Sequence, residues 1–299
     1  MKRIGFYLTL PLLYFISILP FRILYVISDG LYLILYYIIG YRKHVVRINL
    51  SNSFPEKSKA ELTKIEKDFY HYIVDFFLET LKCLTISQSE LKKRFTIENG
   101  HLLDDLLKKG KNPIVTAGHY GNHELGNLAL SFLIKYKPKG VYRPLTNEYF
   151  DQLFYNFRTK FGTILISMKD AAKEIAKVEN FNYAFFLIND QSPPPDRSYW
   201  TTFLHQETGF FTGIERFARQ YDMPVLYMGI HKVARGKYNI KVELIAEYPN
   251  ALPEGELLEI HARKLERDIN EYPSTWFWSH KRWKYTKVNG EIVPISYKK

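Results

Sequence analysis

The sequence predicts an α/β protein with a mixed, largely parallel central sheet flanked by helices, preceded by a hydrophobic helical segment that anchors it to a membrane. Three observations predict this. Short apolar runs alternate with helical patterns from Pro113 onward. The first forty residues are apolar with few interruptions. No internal repeat, low-complexity tract or linker divides the rest of the chain. The expected organisation is an anchor over residues 1–45 and one catalytic α/β domain over 46–299, long enough at 46% apolar content to bury a sizeable core.

The anchor comes first in the chain. Ile4 to Ile18 is almost wholly apolar, and after Pro20 and Arg22 a second run, Ile23 to Gly40, is interrupted chiefly by Ser28 and Asp29. A spanning helix needs roughly 20 apolar residues. Each run is marginal alone, and a break at Pro20 suits one anchor helix plus an interfacial one. Lys2 and Arg3 followed by an apolar stretch also suit a secretory signal, but no small-x-small cleavage pattern comes after it, so the segment is expected to be retained. Tyr14, Tyr25, Tyr32, Tyr36 and Tyr37 suit a headgroup layer, or packing within a helix pair.

The net charge of +11 is concentrated at the ends. In residues 1–50 six basic side chains (Lys2, Arg3, Arg22, Arg42, Lys43, Arg47) face only Asp29, and in residues 281–299 six more (Lys281, Arg282, Lys284, Lys287, Lys298, Lys299) face only Glu291. The near-neutral body and the apolar anchor argue against nucleic acid and for an anionic membrane. Arg42, Lys43, His44 and Arg47, just past the second apolar run, would be held on the cytoplasmic side. The single cysteine, Cys83, excludes an internal disulfide framework and a cysteine-based zinc site.

In the body, Lys59 to Lys82 reads as one long amphipathic helix after the Ser53-Phe54-Pro55 break. Strands are expected at 113–117, 140–142, 163–166, 183–188, 225–228 and 238–242, with helices near 122–136, 147–161, 169–178 and 210–221. Catalytic groups in such sheets gather at the carboxyl ends of strands. The turn after Ala117 reads Gly118-His119-Tyr120-Gly121-Asn122-His123-Glu124. Five residues at about 100° each would separate His119 and Glu124 by roughly 140° on a helix, so His119 must sit on the turn before the helix begins. The pair then suits attack of an alcohol on an acyl thioester: His119 as base, Glu124 orienting it. His123 is an alternative base that the pattern does not exclude. His119 and His123 are also spaced to share a metal, but the H-E-x-x-H order is absent and spacing suggests no third ligand. An activated donor requires neither metal, cofactor nor covalent intermediate, and no G-x-S-x-G elbow is present.

An ordered set of blocks resembles the late acyltransferases of lipid A biosynthesis, within the glycerolipid acyltransferase superfamily. It comprises Tyr41-Arg42-Lys43, Phe54-Pro55-Glu56, His119-Tyr120-Gly121-Asn122-His123-Glu124, Val141-Tyr142-Arg143-Pro144-Leu145 with Asn147, Asp190-Gln191, Phe211-Thr212-Gly213 through Arg219, and Tyr272-Pro273 through Arg282. The family usually has an aromatic residue where this chain has His123. The resemblance implies His119 and Glu124 as the catalytic pair and Arg143 as a phosphate or oxyanion partner. That role is one a guanidinium at a strand end can also fill on physical grounds. Asn147, Asp190, Gln191 and Arg219 join as candidate substrate contacts. It further implies an acyl-acyl carrier protein donor and a lipid A precursor as acceptor, at the cytoplasmic face of the bacterial inner membrane. The residues alone leave another glycolipid, an aminolipid or a lysophospholipid as acceptor equally open.

Overall fold

The computed structural model describes residues 2–177 and 182–297. Lys298 and Lys299, which belong to the basic C-terminal end, and position 178 at the end of a predicted helix lie outside the described residues. In chain order come α1 (Lys2–Ile18), α2 (Phe21–Leu33), which continues as a π-helical turn over Ile34–Ile39, α3 (Lys43–Ser53), α4 (Lys59–Lys82) and α5 (Gln88–Lys92). After these come β1 (Phe95–Glu98), α6 (His101–Lys108), β2 (Ile114–Ala117), α7 (His123–Leu133), β3 (Lys137–Tyr142), α8 (Glu148–Thr159), β4 (Ile164–Ser167), α9 (Ala171–Ala176) and β5 (Tyr183–Ile188). The chain ends with β6 (Ser198–Phe203), β7 (Gln206–Phe211), α10 (Gly213–Gln220), β8 (Val225–Ala234), β9 (Lys237–Ala246), α11 (Glu256–Glu271), β10 (Tyr285–Val288) and β11 (Glu291–Pro294).

Seven strands form the central sheet in the order β1-β9-β8-β2-β5-β3-β4. All neighbours are parallel except β8 and β9. Alternate residues feed opposite faces, as the pleat requires. Val115, Leu226 and Met228 pack with Leu125, Leu128 and Ala129 of α7. Tyr227 faces the other way, into a core built by Phe69, Tyr70 and Ile73 of α4, Leu265 and Ile269 of α11, and Trp276, Trp278 and Trp283. All six predicted strands lie in this sheet, and α4 has the expected bounds. Its start is set by a capping box: the Ser58 hydroxyl accepts from Glu61 N, and the Glu61 carboxylate accepts from Ser58 N at 2.8 Å. The helix predicted near 210 begins at Gly213, because β7 runs on to Phe211 in a hairpin with β6.

The segment Phe21–Ile39 is long and apolar enough to cross a membrane, with a mean hydropathy of 1.5 and only 22% of it buried. Leu8, Phe15, Val26 and Ile38 are well exposed on α1, α2 and the π turn. The opposite side of α2 is bound to the body by polar groups. The Ser28 hydroxyl donates to Asp75 at 2.7 Å, Tyr25 donates to Glu79 at 2.8 Å, and Arg235 bridges Asp75 and Asp29. Ser28 and Asp29, the polar interruptions of the second run, are therefore its docking points. Part of the basic cluster is likewise engaged internally. Arg47 pairs with Glu66 at 2.9 Å, Lys43 stands 3.7 Å over the Tyr36 ring, and Arg42 donates to the Ser279 carbonyl.

Candidate active site

The parallel pairing of β2 with β5 puts their carboxyl ends side by side, and Asn189 N donates to the Ala117 carbonyl at 2.9 Å. His119, two residues past β2, thereby meets Asp190, two residues past β5. The imidazole Nδ1 lies 2.5 Å from Asp190 Oδ1, while the His119 backbone N–H and the Trp276 indole N–H donate to Oδ2 at 2.7 and 2.8 Å. The turn carrying His119 is fixed from all sides. Gly118 is closely packed: a Cβ there would lie 2.6 Å from a Leu265 methyl, which would have to shift, and 3.2 Å from the Asp190 carboxylate. Gly121 has φ +61° and sits against the Ile230 carbonyl, where a side chain has no room. Tyr72 donates to the Gly121 carbonyl at 2.8 Å. Asn122 caps α7 by accepting from Leu125 N at 3.0 Å, and its amide donates to the buried Glu79 at 2.6 Å.

This corrects the role given to Glu124: the carboxylate on His119 is that of Asp190. Glu124, on the first turn of α7, is instead clasped by Arg158 of α8 in a two-pronged pair at 2.9 and 2.5 Å. Its side chain is nearly buried, yet Arg158 holds its pKa below the ordinary carboxylate value, against the opposing effect of burial. The physical reason is helix geometry. A side chain beginning α7 leans toward the sheet edge and α8, whereas Nδ1 of His119 points across to β5.

Opposing effects set the charge of each group. Burial would push the His119 imidazole down, but the charge of Asp190 and its hydrogen bond outweigh this and hold the pKa above 6.5. Asp190 is 3% exposed; burial would raise its pKa, but His119 and the donors around it hold it well below the usual range. With Nδ1–H donating to Asp190, Nε2 carries the lone pair and faces the partly open side, where the Gln191 amide lies 3.4 Å away. His123 is different. Its ring lies 4.9 Å from Phe76, 5.6 Å from Phe277 and 5.0 Å from His119, its Nδ1 has no partner, and burial followed by the His119 charge pushes its pKa down to about 3. It is a neutral wall of the site.

The other predicted residues divide. Gln191 stands beside His119, and Arg143, exposed just past the end of β3, sits at the same carboxyl edge two strands along. Asn147 caps α8, accepting from Tyr149 N at 3.1 Å, and so helps set the helix that delivers Arg158. Arg219 is elsewhere. It ends α10 just before β8 begins, at the opposite edge of the sheet from His119, and its guanidinium is taken up by Glu215 and the Leu252 and Pro253 carbonyls. Arg158 and Trp276 were not singled out by sequence reasoning. Trp276 lies within the 272–282 block, but its contact with Asp190, like that of Arg158 with Glu124, joins residues far apart in the chain.

Over residues 1–285 the sequence matches the family described as bacterial lipid A biosynthesis acyltransferase. The chain belongs to that family. It is therefore an acyltransferase of lipid A biosynthesis type, and its H-x4-E segment builds the wall of the cleft that holds His119. No curated protein matches the chain. Family membership implies an acyl donor and a lipid A-type acceptor.

Proposed function

We propose that the protein transfers a fatty acyl chain from acyl-acyl carrier protein to a hydroxyl of a lipid A precursor, with His119 as general base and Asp190 orienting it. The observation that carries this reading is the His119–Asp190 pair at 2.5 Å, with Nε2 left facing the cleft. An alcohol is a weak nucleophile until its proton is removed. Nε2 takes that proton as the oxygen attacks the thioester carbonyl carbon. The tetrahedral intermediate then collapses, the C–S bond breaks, and the departing thiolate takes the proton from the imidazolium. Asp190 stabilises the imidazolium between these steps and selects the tautomer with the proton on Nδ1. Its three donors keep it ionised while it does so.

Glu124 and Arg158 act on His119 in opposite senses. The guanidinium, held by the carboxylate, stands over the Phe154 ring at 5.1 Å; the Glu124 charge favours protonation of His119 and the smaller effect of the Arg158 charge opposes it. The guanidinium charge favours the negative oxygen of the tetrahedral intermediate. Arg143 and Gln191, on the open edge, are the substrate contacts of this reading, with Asn147 supporting them through α8. The cleft opens at the cytoplasmic face of the inner membrane, where acyl carrier protein and a lipid acceptor meet.

The test is turnover by purified protein in detergent, given acyl-acyl carrier protein and a tetraacylated lipid A precursor, with products weighed by mass spectrometry. A product heavier by one acyl chain is expected, and His119→Ala should lower its rate about 10²–10⁴-fold. Product from a lysophospholipid, an aminolipid or another glycolipid but none from the lipid A precursor would overturn the acceptor. Full activity in His119→Ala would overturn the mechanism.

A further inference from the structure

Arg282 is a buried cation that the acyl-transfer chemistry does not use. It is 2% exposed, and it is the one arginine buried outright among the described residues. Its Nη2 donates to the Gly209 carbonyl at 2.7 Å, its guanidinium stands 4.8 Å from the Phe210 ring, and its Nε has no partner. Other arginines of this chain are matched with acids: Arg158 with Glu124, Arg235 with Asp29 and Asp75, Arg219 with Glu215, Arg94 with Glu90, Arg47 with Glu66. Among the described residues, Arg282 forms no ion pair. A guanidinium taken out of water with an N–H unfilled is costly unless something negative completes it. Burial pulls its pKa down to about 10, against the attraction of Asp190, which leaves it charged at neutral pH.

The guanidinium lines a small recess together with Ser192, Ser198, Trp200, Gly209 and Tyr285. Ser192 is the next residue after Gln191, whose amide reaches His119, so the recess adjoins the reacting centre. Gly209 keeps it open: a Cβ there would come within 2.9 Å of Ser198. The space is that of an oxygen atom rather than of a whole headgroup. A phosphate ester can lower one oxygen onto Arg282 while its other oxygens stay at the mouth, so one oxygen's worth of space is enough.

We propose that this recess is an anion subsite taking one oxygen of a phosphate ester carried by a substrate, with Arg282 as its counter-ion. It deepens the acyl-transfer reading and rests on it for the identity of the substrates. The phosphate belongs either to the glycolipid acceptor or to the phosphopantetheine arm of the donor.

Inorganic phosphate is the first probe, because its binding needs no turnover and so separates failure of this proposal from failure of the acyl-transfer reading. Saturable thermal stabilisation of the detergent-solubilised enzyme by phosphate is expected, weakened at least tenfold in Arg282→Gln and in Ser192→Asp. Ser192→Asp places a carboxylate beside the guanidinium from a loop position, so it decides the matter should Arg282→Gln fail to fold. The second arm compares KM for phosphorylated and dephosphorylated acceptor, and for acyl phosphopantetheine and acyl pantetheine. The substrate whose phosphate-dependent advantage falls at least tenfold in Ser192→Asp is the source. No phosphate response in the wild type, a wild-type response in folded variants, or KM advantages that stay unchanged on both arms would each overturn the proposal.

Discussion

At the scale of single residues, the site consists of two ion pairs on neighbouring strands and helices with different work to do. His119 is raised by Asp190, so the base becomes competent only as pH rises past its pKa. The rate should therefore fall on the acid side through a limb that lies higher than that of an ordinary imidazole. Asp190→Asn removes the charge that raises the imidazole, so the limb should move to lower pH while the maximal rate drops about 10²–10⁴-fold. A pH profile of kcat/KM for both proteins checks this; a limb that stays in place would assign the titration to another group. Glu124 and Arg158 form a nearly buried pair, and removing one partner strands the other. Glu124→Gln should cost about 3–5 kcal/mol of stability. Glu124→Gln combined with Arg158→Met should recover part of that loss in thermal unfolding, and no recovery would show the pair to be uncoupled. His119 and the turn around it were legible in the sequence because the glycines and the histidine lie within a few residues. Its carboxylate partner was not, because that contact joins positions 71 residues apart through strand pairing. Asp190 was visible as a candidate substrate contact closing an apolar strand, and not as the partner of His119.

At the scale of elements, the strands that pair in parallel were legible because each is a short apolar run bounded by breakers. Those read less well are the ones whose pairing is local or marginal. The β6–β7 hairpin turns through Leu204 and His205, both at positive φ, 48° and 63°. Two-residue turns of this kind usually carry Asn or Gly, so no turn signal marks the position. Tertiary contacts hold it: Leu204 is 1% exposed and its N–H donates to Glu266. Between β10 and β11, Asn289-Gly290 does supply that signal, with φ of 51° and 85°, and a search for alternating apolar runs passes over it. The N-terminal helices turn one side to α4 and leave the other apolar and uncovered. A helix tied to the body through Asp29, Asp75 and Arg235 lies against the protein, so its free face is the part suited to lipid. Leu8→Glu and Val26→Glu, at positions 76% and 72% exposed, should release the protein from anionic vesicles. Unfolding should change by no more than about 0.5 kcal/mol, as for other surface substitutions. Vesicle sedimentation equal to wild type would place the lipid contact elsewhere.

At the scale of the whole molecule, the anchor and the catalytic turn are joined by one buried acid. Glu79 of α4 accepts from Tyr25 of α2, from Tyr238 of β9 and from Asn122, the cap of the helix that comes after His119. The N-terminal helices with their exposed apolar side and the turn that carries His119 are thus set on the same long helix. That arrangement suits an enzyme whose donor comes from water and whose acceptor stays in the bilayer. The most direct test of the central claim is the mass of lipid A from cells lacking this protein, complemented by wild type, His119→Ala or Asp190→Asn. The expected result is a precursor lighter by one acyl chain, restored by wild type and by neither variant. Full restoration by His119→Ala, or lipid A of unchanged mass in the absence of the protein, would contradict it.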